Sequence, residues 1–199
     1  MAIGIDFEKQ ARAEGYKFIA GVDEVGRGCL AGAVVAAAVI LDLSKPIPEG
    51  LNDSKKISAK TRARLDAEIC ANAISFAIAR IEAEEIDRIN ILQATKKAMI
   101  SAIGKLSPAA DFLLIDAVQL KELTLPQKSI IHGDAISASI AAASIIAKTY
   151  RDELMRELDA IYPAYGFAKH VGYGTRAHFE ALKQHGACPL HRKTFRGVL

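Results

Sequence analysis

Residues 17–41 read KFIAGVDEVGRGCLAGAVVAAAVIL, and this stretch decides the fold. Lys17–Val22 is apolar enough for a buried strand and runs straight into two acids, Asp23 and Glu24. Gly26-Arg27-Gly28 then breaks the chain. Gly32–Leu41 is apolar again and β-branched at several positions, which predicts a second strand, although its alanines leave a helix possible. Two strands joined by so short a glycine turn lie side by side and antiparallel.

Outward from this pair, strands and helices alternate. Phe7–Gly15 reads as a short helix ending at glycine, and Ser44–Gly50, with Pro46 and Pro48, as a loop. Ser58 is placed to cap a helix through Ala71, followed by a strand over Ile74–Ile81. Ala83–Leu106 reads as one helix, or two broken near Asn90. Asp111–Ile115 is a short apolar strand that ends at Asp116, and Ser129–Ile131 a shorter one near Gly133-Asp134. A long helix spans Ile136–Leu158, its small residues suited to close backbone packing. Tyr162–Gly174 reads as a loop, and Thr175 caps a last helix to His185. The pattern predicts an α/β chain of one domain over residues 1–199: a mixed central sheet flanked by helices, with a mostly helical C-terminal part.

The 199 residues are 51% hydrophobic and 25% charged, values that exclude a disordered or fibrous chain. Net charge is only +3, but residues 161–199 hold six Lys/Arg and a single acid, Glu180. A basic tail on a neutral body points toward a polyanionic partner or a solvated helix face. Lys169, Arg176, Lys183 and Arg192 are its candidate phosphate contacts. Four of the five histidines lie in the same tail and read as surface or phosphate-facing groups. Three widely spaced cysteines offer no zinc or disulfide pattern and fit a reducing, cytoplasmic setting. The longest apolar stretch, Cys29–Leu41, falls short of the roughly 20 residues a membrane helix needs.

The chemistry lies in where the acids fall. Asp23 and Glu24 follow KFIAGV, Asp116 follows FLLI, and Asp134 follows SIIHG. Each stands where an apolar segment emerges from the core, and a desolvated carboxylate there is costly unless paired or metal-bound. Each taken singly is a strand-end charge or a helix cap, as Asp134 could be for the helix after it. Gathered together they would repel one another until a divalent cation entered. All-oxygen ligands favour Mg²⁺ or Mn²⁺ over zinc.

The glycine loop admits two further readings. GRGCLAG matches a loose dinucleotide-binding pattern. However, a pyrophosphate there would face two acids, and the glycines precede a strand rather than a helix N-terminus. Alternatively, glycines let the backbone approach a ligand closely, so the loop could read a ribose 2′-hydroxyl while Arg27 holds a phosphate. A non-catalytic nucleic-acid-binding module, with structural acids, is the remaining possibility.

Six blocks together resemble the ribonuclease HII family: DEVGRG at 23–28, NDSKK at 52–56, LLIDA at 113–117, HGDAISASIAAASIIAKTYRDELM at 132–155, YPAYGFAKHVGYGT at 162–175 and HRKTF at 191–195. The resemblance implies a ribonuclease H-like fold. It also implies an endoribonuclease that cuts the RNA strand of RNA–DNA hybrids and nicks duplex DNA 5′ to an embedded ribonucleotide, leaving 5′-phosphate and 3′-hydroxyl ends. It makes Asp23, Glu24, Asp116 and Asp134 the ligands of two Mg²⁺ or Mn²⁺ ions. It assigns Gly26, Arg27 and Gly28 to the 2′-hydroxyl, Tyr173 to stacking on the next deoxyribose, and Lys55 and Lys56 to a phosphate-contacting segment. A monomer is the expected state. Two positions depart from commoner forms of the pattern: His132, where many members have lysine, and Ala117, where others have glycine.

Overall fold

In the computed structural model, residues 3–54 and 56–199 are described; Lys55 lies outside them. The chain runs α1 (Asp6–Ala13), β1 (Ile19–Val25), β2 (Val34–Ile40), α2 (Ala59–Asn72), β3 (Ser75–Ile81), α3 (Ala83–Ile89), α4 (Ile91–Ile103), β4 (Phe112–Asp116), β5 (Gln127–Ile130), α5 (Ala138–Ile161), α6 (Phe167–His170) and α7 (Arg176–His185). Short 3₁₀ turns stand at Gly133–Ala135 and Pro163–Tyr165. The sheet order is β3-β2-β1-β4-β5. β1 pairs antiparallel with β2, and β2 with β3, whereas β1–β4 and β4–β5 are parallel. The mixed sheet expected from the sequence is therefore present.

Why β2 is almost wholly apolar now has a physical answer. All seven of its residues are buried, because both faces of the sheet are covered. Val34, Ala36, Ala38 and Ile40 pack with Ala98, Met99 and Ile103 of α4 on one side. Val35, Ala37 and Val39 pack with Ile145 and Ile146 of α5 and Leu65 and Ile69 of α2 on the other. The period-2 alternation of a strand assigns these two sets. An alanine-rich strand keeps both helices close.

The helix boundaries follow their caps. Ser58 accepts the Thr61 N–H at 3.1 Å, and Thr175 accepts the His178 N–H at 3.2 Å. Asn90, at φ 66°, ends α3 and caps α4 by accepting the Gln93 N–H, so the long helical stretch is two helices. α5 starts at Ala138, capped not by Asp134 but by Ser137, and the Ser137 hydroxyl donates to buried Glu8 at 2.7 Å. The Tyr162–Gly174 loop contains a helical turn, α6. There Tyr165 and Phe167 join Leu30, Met155, Leu182 and Val198 in a separate cluster beneath the C-terminal segment. Among the described residues, no helix is long and apolar enough to cross a membrane.

Candidate active site

The acids gather at one end of the sheet because β1 and β4 run parallel. Gly21 registers with Leu114 and Val22 with Ile115, so the next step along the ladder sets Asp23 beside Asp116. Alternation turns Asp23 to the same face as Gly21, toward α5. Asp116 ends β4 opposite Ile130 of β5. From Ile130 the chain turns through His132 and Gly133 to Asp134, and the Gly133 N–H donates to Asp116 Oδ1 at 2.7 Å. This bond ties the turn carrying Asp134 to the end of β4. A side chain at Gly133 would meet the Ile140 Cδ1 methyl at 2.5 Å and could be admitted only if that side chain moved.

Asp23 is the electrostatic centre. It is 4% exposed, and its Oδ1 accepts the Glu24 N–H at 2.7 Å. Burial, then the neighbouring charges of Glu24 and Asp116, push its carboxyl well above the usual carboxylate range; a hydrogen bond from Ser144 opposes them. Ser144 Oγ lies 2.9 Å from Ser54 Oγ, in the NDSKK segment. When Asp23 is ionised, as a cation ligand must be, its carboxylate only accepts, and the hydroxyls then run in order Ser54 to Ser144 to Asp23. Among the described residues, no three Asp, Glu, His or Cys side chains stand close enough to chelate one ion as placed. Glu24 instead pairs with Arg27 at 3.3 Å. The donor chemistry nonetheless fits a hard divalent cation: the candidate ligands offer only carboxylate oxygens, and the charges of Glu24 and Asp116 both act unfavourably on Asp23.

A cleft of about 270 Å³ opens beside the acids, lined by Glu24, Ser54, Arg62, Ser144, Lys148 and Tyr173. Lys148 and Arg62 both pair with Asp152, at 2.6 and 3.1 Å. The sequence reading missed Ser54, Arg62, Ser144 and Lys148. For Ser144 and Lys148 the signal was their i, i+4, i+8 spacing with Asp152 on one face of α5. Of the other expected residues, Arg27 and Gly28 are exposed at the loop and Gly26 is buried. Tyr173 is 39% exposed, at the cleft. Lys56 is exposed and pairs with Asp53 at 3.7 Å. Ala117 and His132 both adopt left-handed backbone, φ 49° and 57°. Glycine accepts such a conformation without strain, which accounts for its use at the first position.

Two expectations for the basic tail are corrected. Arg192 is fully buried and cannot reach a phosphate. Its guanidinium donates to the carbonyls of Gly26 (2.8 Å), Arg27 (2.8 Å) and Gly32 (2.8 and 3.0 Å), thereby pinning the glycine loop. Arg151 of α5, also buried, does the same for Ala31, Ala33 and Val171. Nor are His178 and His191 on the surface; they are 0% and 1% exposed. Lys169, Arg176 and Lys183 are exposed, as a duplex contact requires.

A mixed sheet in this order, with acids at the adjoining ends of β1 and β4 and a glycine loop beside them, defines a hydrolytic nuclease of the ribonuclease H fold. The ribonuclease HII family model matches residues 20–198. Ribonuclease HII of Ruminiclostridium cellulolyticum is 54% identical over 191 residues, 96% of this chain and 74% of that one. Among solved structures, ribonuclease H2 from Pyrococcus horikoshii superposes with a TM-score of 0.75 at 25% identity, covering 92% of this chain and 95% of that one. Ribonuclease HII of Archaeoglobus fulgidus, solved in complex with PCNA, gives 0.77 at 25% identity, covering 90% and 96%. The chain belongs to the ribonuclease HII family and is an endoribonuclease directed at the RNA strand of RNA–DNA hybrids.

Proposed function

We propose that this enzyme hydrolyses the RNA strand of hybrids and also nicks duplex DNA 5′ to a single embedded ribonucleotide, leaving 5′-phosphate and 3′-hydroxyl ends. The observation that carries this reading is the parallel β1–β4 register, which sets buried Asp23 beside Asp116. Asp23, Glu24, Asp116 and Asp134 would hold Mg²⁺ or Mn²⁺. Two such ions, when bound, lower the pKa of a ligand water and neutralise charge on the attacking and leaving oxygens.

The chain's own residues do the rest. Ser144, itself held by Ser54, keeps the Asp23 carboxylate aimed along one direction. The Gly133 N–H does this for Asp116. Arg192 occupies the carbonyls of Gly26 and Arg27, so the loop offers a ligand its N–H groups and its pinned shape. Arg27, released from Glu24, would follow a phosphate. Tyr173, at the cleft rim, offers a ring face to the deoxyribose that follows the ribonucleotide.

The test is a duplex DNA with one ribonucleotide, incubated with Mg²⁺, Mn²⁺ or EDTA. One nick at the ribonucleotide, dependent on metal, is expected. Asp23→Asn and Asp116→Asn should lose at least about 10³-fold in rate, as removal of a principal electrostatic group does, while retaining the wild-type fold by circular dichroism. Wild-type cutting by either variant would remove it from the site.

A further inference from the structure

Bonded to the backbone of Tyr173 is a group of three imidazoles, His178 and His191 buried and His170 partly so, that the hydrolytic chemistry does not use. His170 stacks on His178, ring centroids 4.4 Å apart and 17° from parallel. His178 Nε2 stands 3.0 Å from His191 Nε2. Tyr165, Phe167 and Cys188 close around them, and no acid perturbs either of the buried pair.

Backbone groups dictate every proton in this set. The Tyr173 carbonyl lies 2.9 Å from His178 Nδ1 and can only accept, so that nitrogen carries hydrogen. The Cys188 N–H can only donate and points at His191 Nδ1, 3.0 Å away, so that nitrogen is bare. A neutral imidazole carries one N–H. His191 Nε2–H must therefore donate to the bare His178 Nε2. The same reasoning makes His170 Nε2 donate to the Tyr165 carbonyl at 2.9 Å and His170 Nδ1 accept the Gly172 N–H at 3.3 Å. The His170 carbonyl in turn accepts the Tyr173 N–H at 2.9 Å. Both backbone groups of Tyr173 thus meet histidines, the carbonyl accepting the Thr175 N–H at 2.8 Å as well, and a continuous hydrogen-bonded chain runs from the C-terminal segment at Cys188 to the Tyr173 carbonyl.

We propose that His178 and His191 are positioning residues for Tyr173. The chain Cys188 N–H to His191 to His178 to Tyr173 C=O fixes the backbone that aims the tyrosine ring at the sugar beside the ribonucleotide. The proposal rests on Tyr173 stacking against that sugar. His191→Leu removes the central donor; His191→Gln keeps a donor of similar reach.

Nicking kinetics on the single-ribonucleotide duplex test it. His191→Leu should lower kcat about 10-fold, with KM moved less than about twofold, because aim rather than affinity is lost. His191→Gln should recover most of that loss. In the Tyr173→Ala background, His191→Leu should add no further loss, the non-additivity expected of two residues acting as one unit. Losses that multiply in the double variant, or a glutamine no better than leucine, would reduce the histidines to packing and overturn the proposal. Failure of the underlying reading looks different: Tyr173→Ala alone would then nick at the wild-type rate. Should His191→Leu not fold, ¹⁵N spectra of the wild-type imidazoles decide. A proton on His178 Nδ1 and on His191 Nε2 supports the relay; the opposite tautomers, or a charged ring at pH 7, sink it.

Discussion

At the scale of single residues, Arg192 shows how a charge in sequence can mislead. Within HRKTF it reads as one more basic group of a polyanion-binding tail. Burial pushes its guanidinium down to about 10, still charged at neutral pH, and its N–H groups are spent on the carbonyls of Gly26, Arg27 and Gly32. Arg192→Met should strand those carbonyls and cost about 3 kcal/mol, at about 1–3 kcal/mol for a buried polar group left unpaired. Arg192→Lys should recover only part, since one ammonium cannot span the fork. Urea midpoints at pH 7.5 measure both, and an unchanged midpoint for methionine would mean that water or a shifted loop replaces the arginine. The acids were legible because each follows an apolar run, a local signal. Arg192, His178 and His191 were not, because their burial depends on a cluster assembled from residues 30, 155, 165, 167 and 182, which no local window contains.

At the scale of elements, the contact between β1 and α5 sets the distance from Asp23 to Ser144. A side chain at Gly21 would meet the backbone carbonyl carbon of Ser139 at 2.0 Å. Neither partner is a flexible side chain, so Gly21→Ala must push α5 off the sheet, at 3 kcal/mol or more by the upper end of overpacking costs, roughly. Gly28 is the control, with nothing within 4 Å of the position a Cβ would take. Gly28→Ala should leave the melting temperature within about 1 °C, a surface-like change, yet raise KM for the ribonucleotide duplex if ligand approaches the loop backbone. Equal melting temperatures for the two variants would refute this reading of the β1–α5 contact. Elements were the most readable level of the sequence. Ser58, Thr175 and the break at Asn90 stand where their caps are found. β2 remained ambiguous in sequence because burial on both faces erases the alternation that distinguishes strands. The α6 turn was hidden in a stretch rich in Tyr and Gly, where tertiary packing of Phe167 outweighs local preference.

At the scale of the whole molecule, the C-terminal part is tied together internally by neutral imidazoles, His178 bonding the Tyr173 carbonyl and His191 the Cys188 N–H, and this makes acid a specific threat. Burial first, then the nearby His178 ring, pushes His191 down to about 4, and burial lowers His178 as well. In the unfolded chain both titrate near 6.5. Between about pH 6.5 and 4 the unfolded state therefore binds more protons than the folded one. Stability from the pair is complete above about 6.5 and drains away as pH falls toward 4, by on the order of 1–3 kcal/mol. Asp23 works in the opposite sense, since its raised carboxyl takes up a proton in the folded state first. The comparison must accordingly be between variants rather than between pH values alone. Urea unfolding of wild type and His191→Gln at pH 7.5 and pH 4.5 isolates the imidazole contribution. The wild type should lose more stability across that interval than the glutamine variant, whose amide does not titrate. Parallel losses in the two proteins would show that the imidazoles are not what acid attacks.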